Sequence, residues 1–176
     1  MVMKRRFETL VDVHGGRLLQ LARYMLQTDS EAEDVVQDSL IKLWDHLPRL
    51  EVGTELAWLI TCTRNACLDR IRRDQRRAGL QRQIHAVDLE LEKQVDSNCP
   101  DSLSEIDERA RQLHAAIAEL PEPARSLVIL RDIQDVDVST VARTLDLTPN
   151  QVKVYTFRAR RALRRQLEEA CHEQVA

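Results

Sequence analysis

Arg158, Arg160, Arg161, Arg164 and Arg165 follow one another near the end of the chain, with no acidic residue before Glu168. If this stretch is a helix, Val152, Thr156, Ala159 and Leu163 fall at helical spacing and share a face fit for burial. The other side presents Lys153, Val154, Phe157, Arg158 and Arg161. Such a surface can neutralise a phosphate backbone, each contact contributing about −0.9 to the slope of log K against log salt. A plainer alternative is that arginines late in a helix complement its dipole. A second basic group comprises Arg64, Arg70, Arg72, Arg73, Arg76 and Arg77, interrupted by Asp69 and Asp74. Trp58 and Asn65 precede most of it on the same helical side. Guanidinium groups that follow a backbone, beside an aromatic ring that can stack a base, suit capture of a single strand. Trp58 as a core residue is the competing reading.

Catalytic and metal chemistries find little support. His14, His46, His85, His114 and His172 are scattered, beside no Gly-rich loop, HExxH motif or nucleophile elbow. Asp34 and Asp38 lie four apart on one helix but have no second ligand helix, which favours an exposed acidic docking face over a metal pair. Cys62, Cys67, Cys99 and Cys171 make no CxxC pair, and Cys171-His172 lacks zinc-ligand spacing. No metal or cofactor is expected.

The elements that must position these groups are helical. The chain has 176 residues, 43% apolar, with four Gly and five Pro, and no hairpin dipeptide separates alternating runs. An all-α fold follows. A first helix is predicted from about Lys4 to Leu26 with Phe7, Leu10, Val11, Leu18, Leu21 and Met25 in the core, and a break or kink at Gly15-Gly16. Ser30-Glu31-Ala32-Glu33 reads as a capping box opening a helix to about Trp44. Pro48 and Gly53 bracket a loop, after which Thr54 caps a long helix from Glu55 to about Arg77.

Charge then divides the chain. Residues 1–77 carry 13 Lys/Arg against 12 Asp/Glu, residues 78–107 carry 2 against 7, and residues 108–176 carry 11 against 10. The acidic middle, with Asp88-Leu89-Glu90-Leu91-Glu92 and the turn-like Ser97–Ser102, reads as a tether between two small helical domains. Beyond it, a helix over 108–119 uses Leu113 and Ile117, stops at Pro121, and is followed by one with Pro123 in its first turn, running to Asp132. Asp137 caps Val138–Leu145. Thr148-Pro149-Asn150-Gln151 combines an N-cap, Pro at the first helical position and Gln at the third. Two short helices joined by about three residues make a helix-turn-helix, whose second helix enters a major groove.

At this level the sequence resembles extracytoplasmic-function sigma factors of the sigma-70 family. Ala32-Glu33-Asp34-Val35-Val36-Gln37-Asp38-Ser39-Leu40 is similar to one signature segment of that family. Trp58-Leu59-Ile60 through Asn65 to Asp69, Arg72 and Arg73 is similar to a second, and Glu119-Leu120-Pro121 with Arg131 to the entry of the C-terminal domain. Val141-Ala142, Leu145, Val152-Lys153 and Arg158–Leu163 match its helix-turn-helix core. The resemblance implies an alternative sigma factor with a region 2 domain (1–77), an acidic flexible linker (78–107) and a region 4 domain (108–176). It also implies residue roles. Asp34, Gln37 and Asp38 would dock on the β′ clamp helices of core RNA polymerase, whose β flap is a further expected contact. Trp58, Arg64, Asn65, Arg70, Arg72 and Arg73 would handle the melted −10 element of promoter DNA. The loop 45–54 would hold a flipped-out base. Lys153, Val154, Phe157, Arg158 and Arg161 would face the −35 duplex, and the linker would thread toward the RNA-exit channel. An anti-sigma partner is expected by the same resemblance. Asp135, Asp146 and Asn150 stand where the family favours glycine; Asp and Asn tolerate left-handed turns.

With no apolar stretch of signal or membrane-spanning length, the chain is placed in the cytoplasm. A helix-turn-helix regulator that binds an operator as a dimer is the main alternative, and a pure interaction adaptor another. The first would shift duplex DNA alone; the second would tolerate loss of Arg158 and Arg161.

Overall fold

The computed structural model describes residues 2–26, 28–85 and 105–173. Among the described residues all regular structure is helical. The order is α1 (Val2–Met25), α2 (Asp29–His46), a 3₁₀ turn (Leu47–Arg49), α3 (Glu55–His85), α4 (Glu105–Glu119), α5 (Ala124–Val128), α6 (Val138–Leu145) and α7 (Pro149–Glu173). A π-helical turn, Ile129–Ile133, continues α5.

Helices α1, α2 and α3 pack on one another around Leu18, Leu21, Val35, Leu43, Leu59 and Ile60. Contrary to expectation, α1 runs unbroken through Gly15-Gly16. Each glycine costs about 1 kcal/mol relative to Ala. Leu18 and Leu21, one turn on, are fully buried, and each such leucine returns about 1.5–3 kcal/mol. Tertiary packing therefore overrides the local penalty. Phe7, Leu10 and Val11 are only half-buried, whereas Leu18, Leu21 and Met25 are core.

The start of α2 also differs. Thr28, extended at φ −122° and ψ 141°, is the N-cap, and its Oγ1 accepts from the Glu31 N–H at 3.3 Å. Ser30 already lies within the first turn. The helix continues to His46, two residues past Trp44. Thr54 takes the place before α3 as expected, its carbonyl accepting from the Trp58 N–H at 3.1 Å, but its hydroxyl donates to the Glu51 carbonyl at 2.8 Å. Glu55 instead reaches back, its Oε2 accepting from the Gly53 N–H at 2.6 Å, where Gly53 has φ +89°. From there α3 passes Arg77 and ends at His85. Helical backbone thus occupies 78–85, and α4 occupies 105–107, of the segment expected as a tether. The acidic stretch 88–92 and the polar stretch 97–102 lie outside the described residues.

In the second half α4, α5, α6 and α7 enclose Ile117, Leu120, Leu127, Leu130, Val136, Val141 and Val152. Pro123 is the N-cap of α5, one place earlier than expected. That helix does not reach Asp132 in regular form. The Gln134 N–H donates to the Ile129 carbonyl at 3.0 Å, an i to i+5 bond that widens the last turn. Asp137 caps α6 as expected, accepting from the Thr140 N–H at 2.9 Å. Asp146 ends it in the left-handed region at φ 53°, and Asp135 adopts φ 48°. Asn150, by contrast, is an ordinary residue of the first turn of α7.

Candidate nucleic-acid interface

The helix-turn-helix is built from local bonds that the sequence encodes. Thr148 Oγ1 accepts from the Gln151 N–H at 3.2 Å while Gln151 Oε1 accepts from the Thr148 N–H at 2.8 Å. This reciprocal box fixes the first turn of α7. Val152, Thr156 and Ala159 are buried and Leu163 is half-buried, so the opposite side is held outward. There Lys153, Val154, Phe157, Arg158 and Arg161 are all exposed, Phe157 at 63%. An exposed Val and Phe among cations suit apolar contact with a thymine methyl beside phosphate neutralisation. The Arg158 guanidinium lies 6.0 Å from the centre of the Tyr155 ring, which restrains it. Arg158, Arg161, Arg164 and Arg165 line one open groove with Glu168. Arg160 points elsewhere: its Nε lies 3.0 and 3.1 Å from the two Asp132 carboxylate oxygens, bracing α7 against the π-helical turn.

The face of α3 is less uniform. Asn65, Arg72 and Arg73 are exposed, and Arg72 pairs with Asp69 at 3.0 Å. Arg73 Nε donates to the Asp69 carbonyl at 3.3 Å. Trp58 is half-buried against the core, its ring 5.2 Å from that of His46. Arg70 turns toward α2, donating to Glu31 at 2.9 Å and lying 4.0 Å from Asp34, and the Glu31 hydrogen bond raises its pKa further. Glu31 is thereby drawn away from any reciprocal cap of α2. Asp34, Gln37 and Asp38 are exposed and share one side of α2.

Arg64 is the departure. Its side chain is only 15% exposed, donating to Glu122 Oε2 at 2.9 Å and Ser126 Oγ at 2.7 Å in the second half of the molecule. Ser126 donates to the same Glu122 oxygen at 2.7 Å, completing a triangle. An open groove of about 560 Å³ runs beside it, lined by Asn65, Asp69 and Arg72 on one wall and Leu120, Pro121 and Arg125 on the other.

Sequence reasoning also missed Arg6. It donates to the Leu47 and Leu50 carbonyls at 3.3 and 3.0 Å and to Glu55 Oε1 at 2.6 Å, pinning the loop between α2 and α3. Burial alone would raise the Glu55 pKa; the Arg6 bond, with the N–H groups of Glu55 and Gly53, more than offsets it and the net shift is downward. Burial pushes the Cys67 thiol up to about 12, consistent with a packing role.

Comparison with known proteins adds two family matches. Residues 10–77 match sigma-70 region 2, and residues 110–163 match sigma-70 region 4. The ECF RNA polymerase sigma factor SigX of Bacillus subtilis (strain 168) is 27% identical over 168 residues, covering 94% of this chain and 86% of that protein. Among solved structures, CnrH in complex with the cytosolic domain of CnrY aligns at TM-score 0.65 and 25% identity, covering 94% and 90% of the two chains. The sigma factor RpoE in complex with the anti-sigma factor NepR from Bartonella quintana aligns at 0.67 and 22%, covering 93% and 98%. No described helix is long and apolar enough to cross a membrane.

Proposed function

Because the chain belongs to the sigma-70 family as an extracytoplasmic-function sigma factor, we propose how its residues divide the work of promoter recognition. It is an alternative sigma factor that directs transcription initiation, and sigma factors of this family act as non-enzymatic initiation factors. The region 2 match upstream of the helix-turn-helix leaves the dimeric operator-binding regulator without support.

In our reading region 2 spans 1–77 and region 4 spans 108–176, with an acidic linker between them whose ends are the extensions of α3 and α4. Asp34, Gln37 and Asp38 form the core-polymerase docking face on the β′ clamp helices, supported by their shared exposure on α2. Asn65, Arg72 and Arg73, with Arg64 and Arg70 behind them, take the melted −10 strand. Trp58 supports that face from the half-buried side of α3 and is a less suitable stacking platform. The loop pinned by Arg6 and Glu55 holds the displaced base, whose unstacking costs a few kcal/mol that a pocket must offset. The single observation that carries the −35 assignment is the reciprocally capped α7 with Lys153, Val154, Phe157, Arg158 and Arg161 outward. The protein acts in the cytoplasm, beside the polymerase, and is subject to capture by an anti-sigma partner, as CnrH is found with the cytosolic domain of CnrY.

Reconstitution tests this. Core polymerase with the full chain should start RNA synthesis at sites that core alone does not use, while the chain alone should retain duplex promoter DNA poorly. Tight duplex binding without polymerase, or no new start sites with it, would overturn the proposal.

A further inference from the structure

We infer that His46 reads a base of the melted strand, its Nε2 accepting from the exocyclic amino group of an adenine or cytosine beside the loop that follows α2. The inference rests on the assignment of Asn65 to that strand.

Placement comes first. His46 is the last residue of α2 and directly precedes the loop that Arg6 and Glu55 pin. Its ring sits 5.2 Å from that of Trp58, the two planes inclined by 33°. Trp58, Asn65, Asp69 and Arg72 follow helical spacing and share one stripe of α3. From Asn65 back to Trp58 the helix covers about 10 Å, so the imidazole stands at the head of that stripe. A strand that runs from Asn65 to the loop therefore crosses the Trp58–His46 pair. There the indole is half-buried and the imidazole exposed, so the ring that a base meets is that of His46.

One bond sets the chemistry of that ring. His46 Nδ1 lies 3.0 Å from the Lys42 carbonyl. A carbonyl oxygen only accepts, so Nδ1 carries the proton and donates it. In the neutral ring Nε2 is then left as an acceptor. Adenine and cytosine carry an exocyclic amino donor where guanine and thymine carry a carbonyl. The amino group pairs with Nε2, whereas the carbonyl sets lone pair against lone pair. A histidine in the last turn of a helix can also serve the helix alone, by bonding a terminal carbonyl or complementing the dipole. Neither of those roles uses Nε2, which is what makes the two separable.

The test uses holoenzyme assembled from core polymerase and the full chain, with His46→Phe and His46→Ala. Phe keeps a ring against Trp58 and removes Nε2; Ala removes both. Helical content by circular dichroism checks folding. Single-stranded oligonucleotides randomised across the melted segment are selected on each holoenzyme, and competition binding gives the base preference at every position. The parent should favour adenine or cytosine over guanine and thymine at one position. His46→Phe should reduce that preference about three- to tenfold, the range that one net hydrogen bond supplies. Replacing the favoured base there by its des-amino analogue, such as purine for adenine, should weaken the parent by the same factor and His46→Phe little. His46→Ala should lose the preference and further affinity for the strand. A preference that His46→Phe leaves unchanged at every position would overturn the proposal. So would an equal loss for every base, because the ring would then only support the end of α2. Asn65→Ala tests the underlying level separately: if it leaves strand binding intact while the His46-dependent preference persists, the Asn65 assignment alone has failed.

Discussion

Arg6 on α1 and Glu55 at the head of α3, 49 residues apart in sequence, meet at 2.6 Å and close the loop between α2 and α3. The partners are 30% and 10% exposed, so the pair is screened less than a surface bridge. Because the net shift holds the Glu55 carboxyl below its ordinary range, the folded state binds this proton less readily than the unfolded chain. Its stabilisation is thus complete above the unfolded value of about 4.3 and is lost as pH falls through the lower folded one. Urea unfolding followed from pH 7 into the acid range should show a shallower acid loss for Glu55→Gln than for the parent. Asp137, also shifted downward by its bonds from Ser139 and Thr140, should keep the slope from vanishing.

Removing the α6 cap should act locally. Asp137→Ala deletes the acceptor for the Thr140 N–H and should cost about 1 kcal/mol of unfolding free energy. Denaturant melts measure this. A loss within error of zero would mean that water replaces the cap.

On α7 the arginines should separate into two kinds. Arg158→Ala and Arg161→Ala should each reduce the salt slope of holoenzyme binding to a −35 duplex by about 0.9. Arg160→Ala, engaged with Asp132, should leave that slope nearly unchanged and cost only about 0.2–1 kcal/mol of stability. Equal slopes for all three would refute the assignment of faces.

Docking on polymerase should respond to charge on α2. Asp34→Lys with Asp38→Lys should weaken core binding tenfold or more, since like charges brought together across an interface cost several kcal/mol. Gln37→Ala serves as a neutral comparison. Competition against another sigma factor for core polymerase gives the measurement, with helical content as the control.

What could be read in advance was what neighbours in sequence decide. The Thr148–Gln151 box and the Asp137 cap depend on residues three apart, so their side chains and bonds were legible. The outward set on α7 followed from periodicity alone. Thr28 escaped notice because three consecutive residues, Thr28, Asp29 and Ser30, are all good caps, and only backbone geometry chooses among them. The passage of α1 through Gly15-Gly16 depends on helices that arrive later in the chain. Arg6 and Arg64 were illegible for the same reason: their partners lie 41 to 62 residues away, and no local pattern marks an arginine for one distant carboxylate. Arg64 looked like any other member of a basic run.

The uninterrupted course of α3 makes it a ruler. At 1.5 Å per residue its 31 residues extend about 45 Å, and the eight steps from Asn65 to Arg73 span about 12 Å. A strand with stacked bases advances about 3.4 Å per nucleotide, so that interval gauges about three to four nucleotides. On the proposed −10 assignment, the distance between the first base captured and the last phosphate gripped is set by the pitch of one helix, and inserting or deleting a turn there would recalibrate which promoters fit.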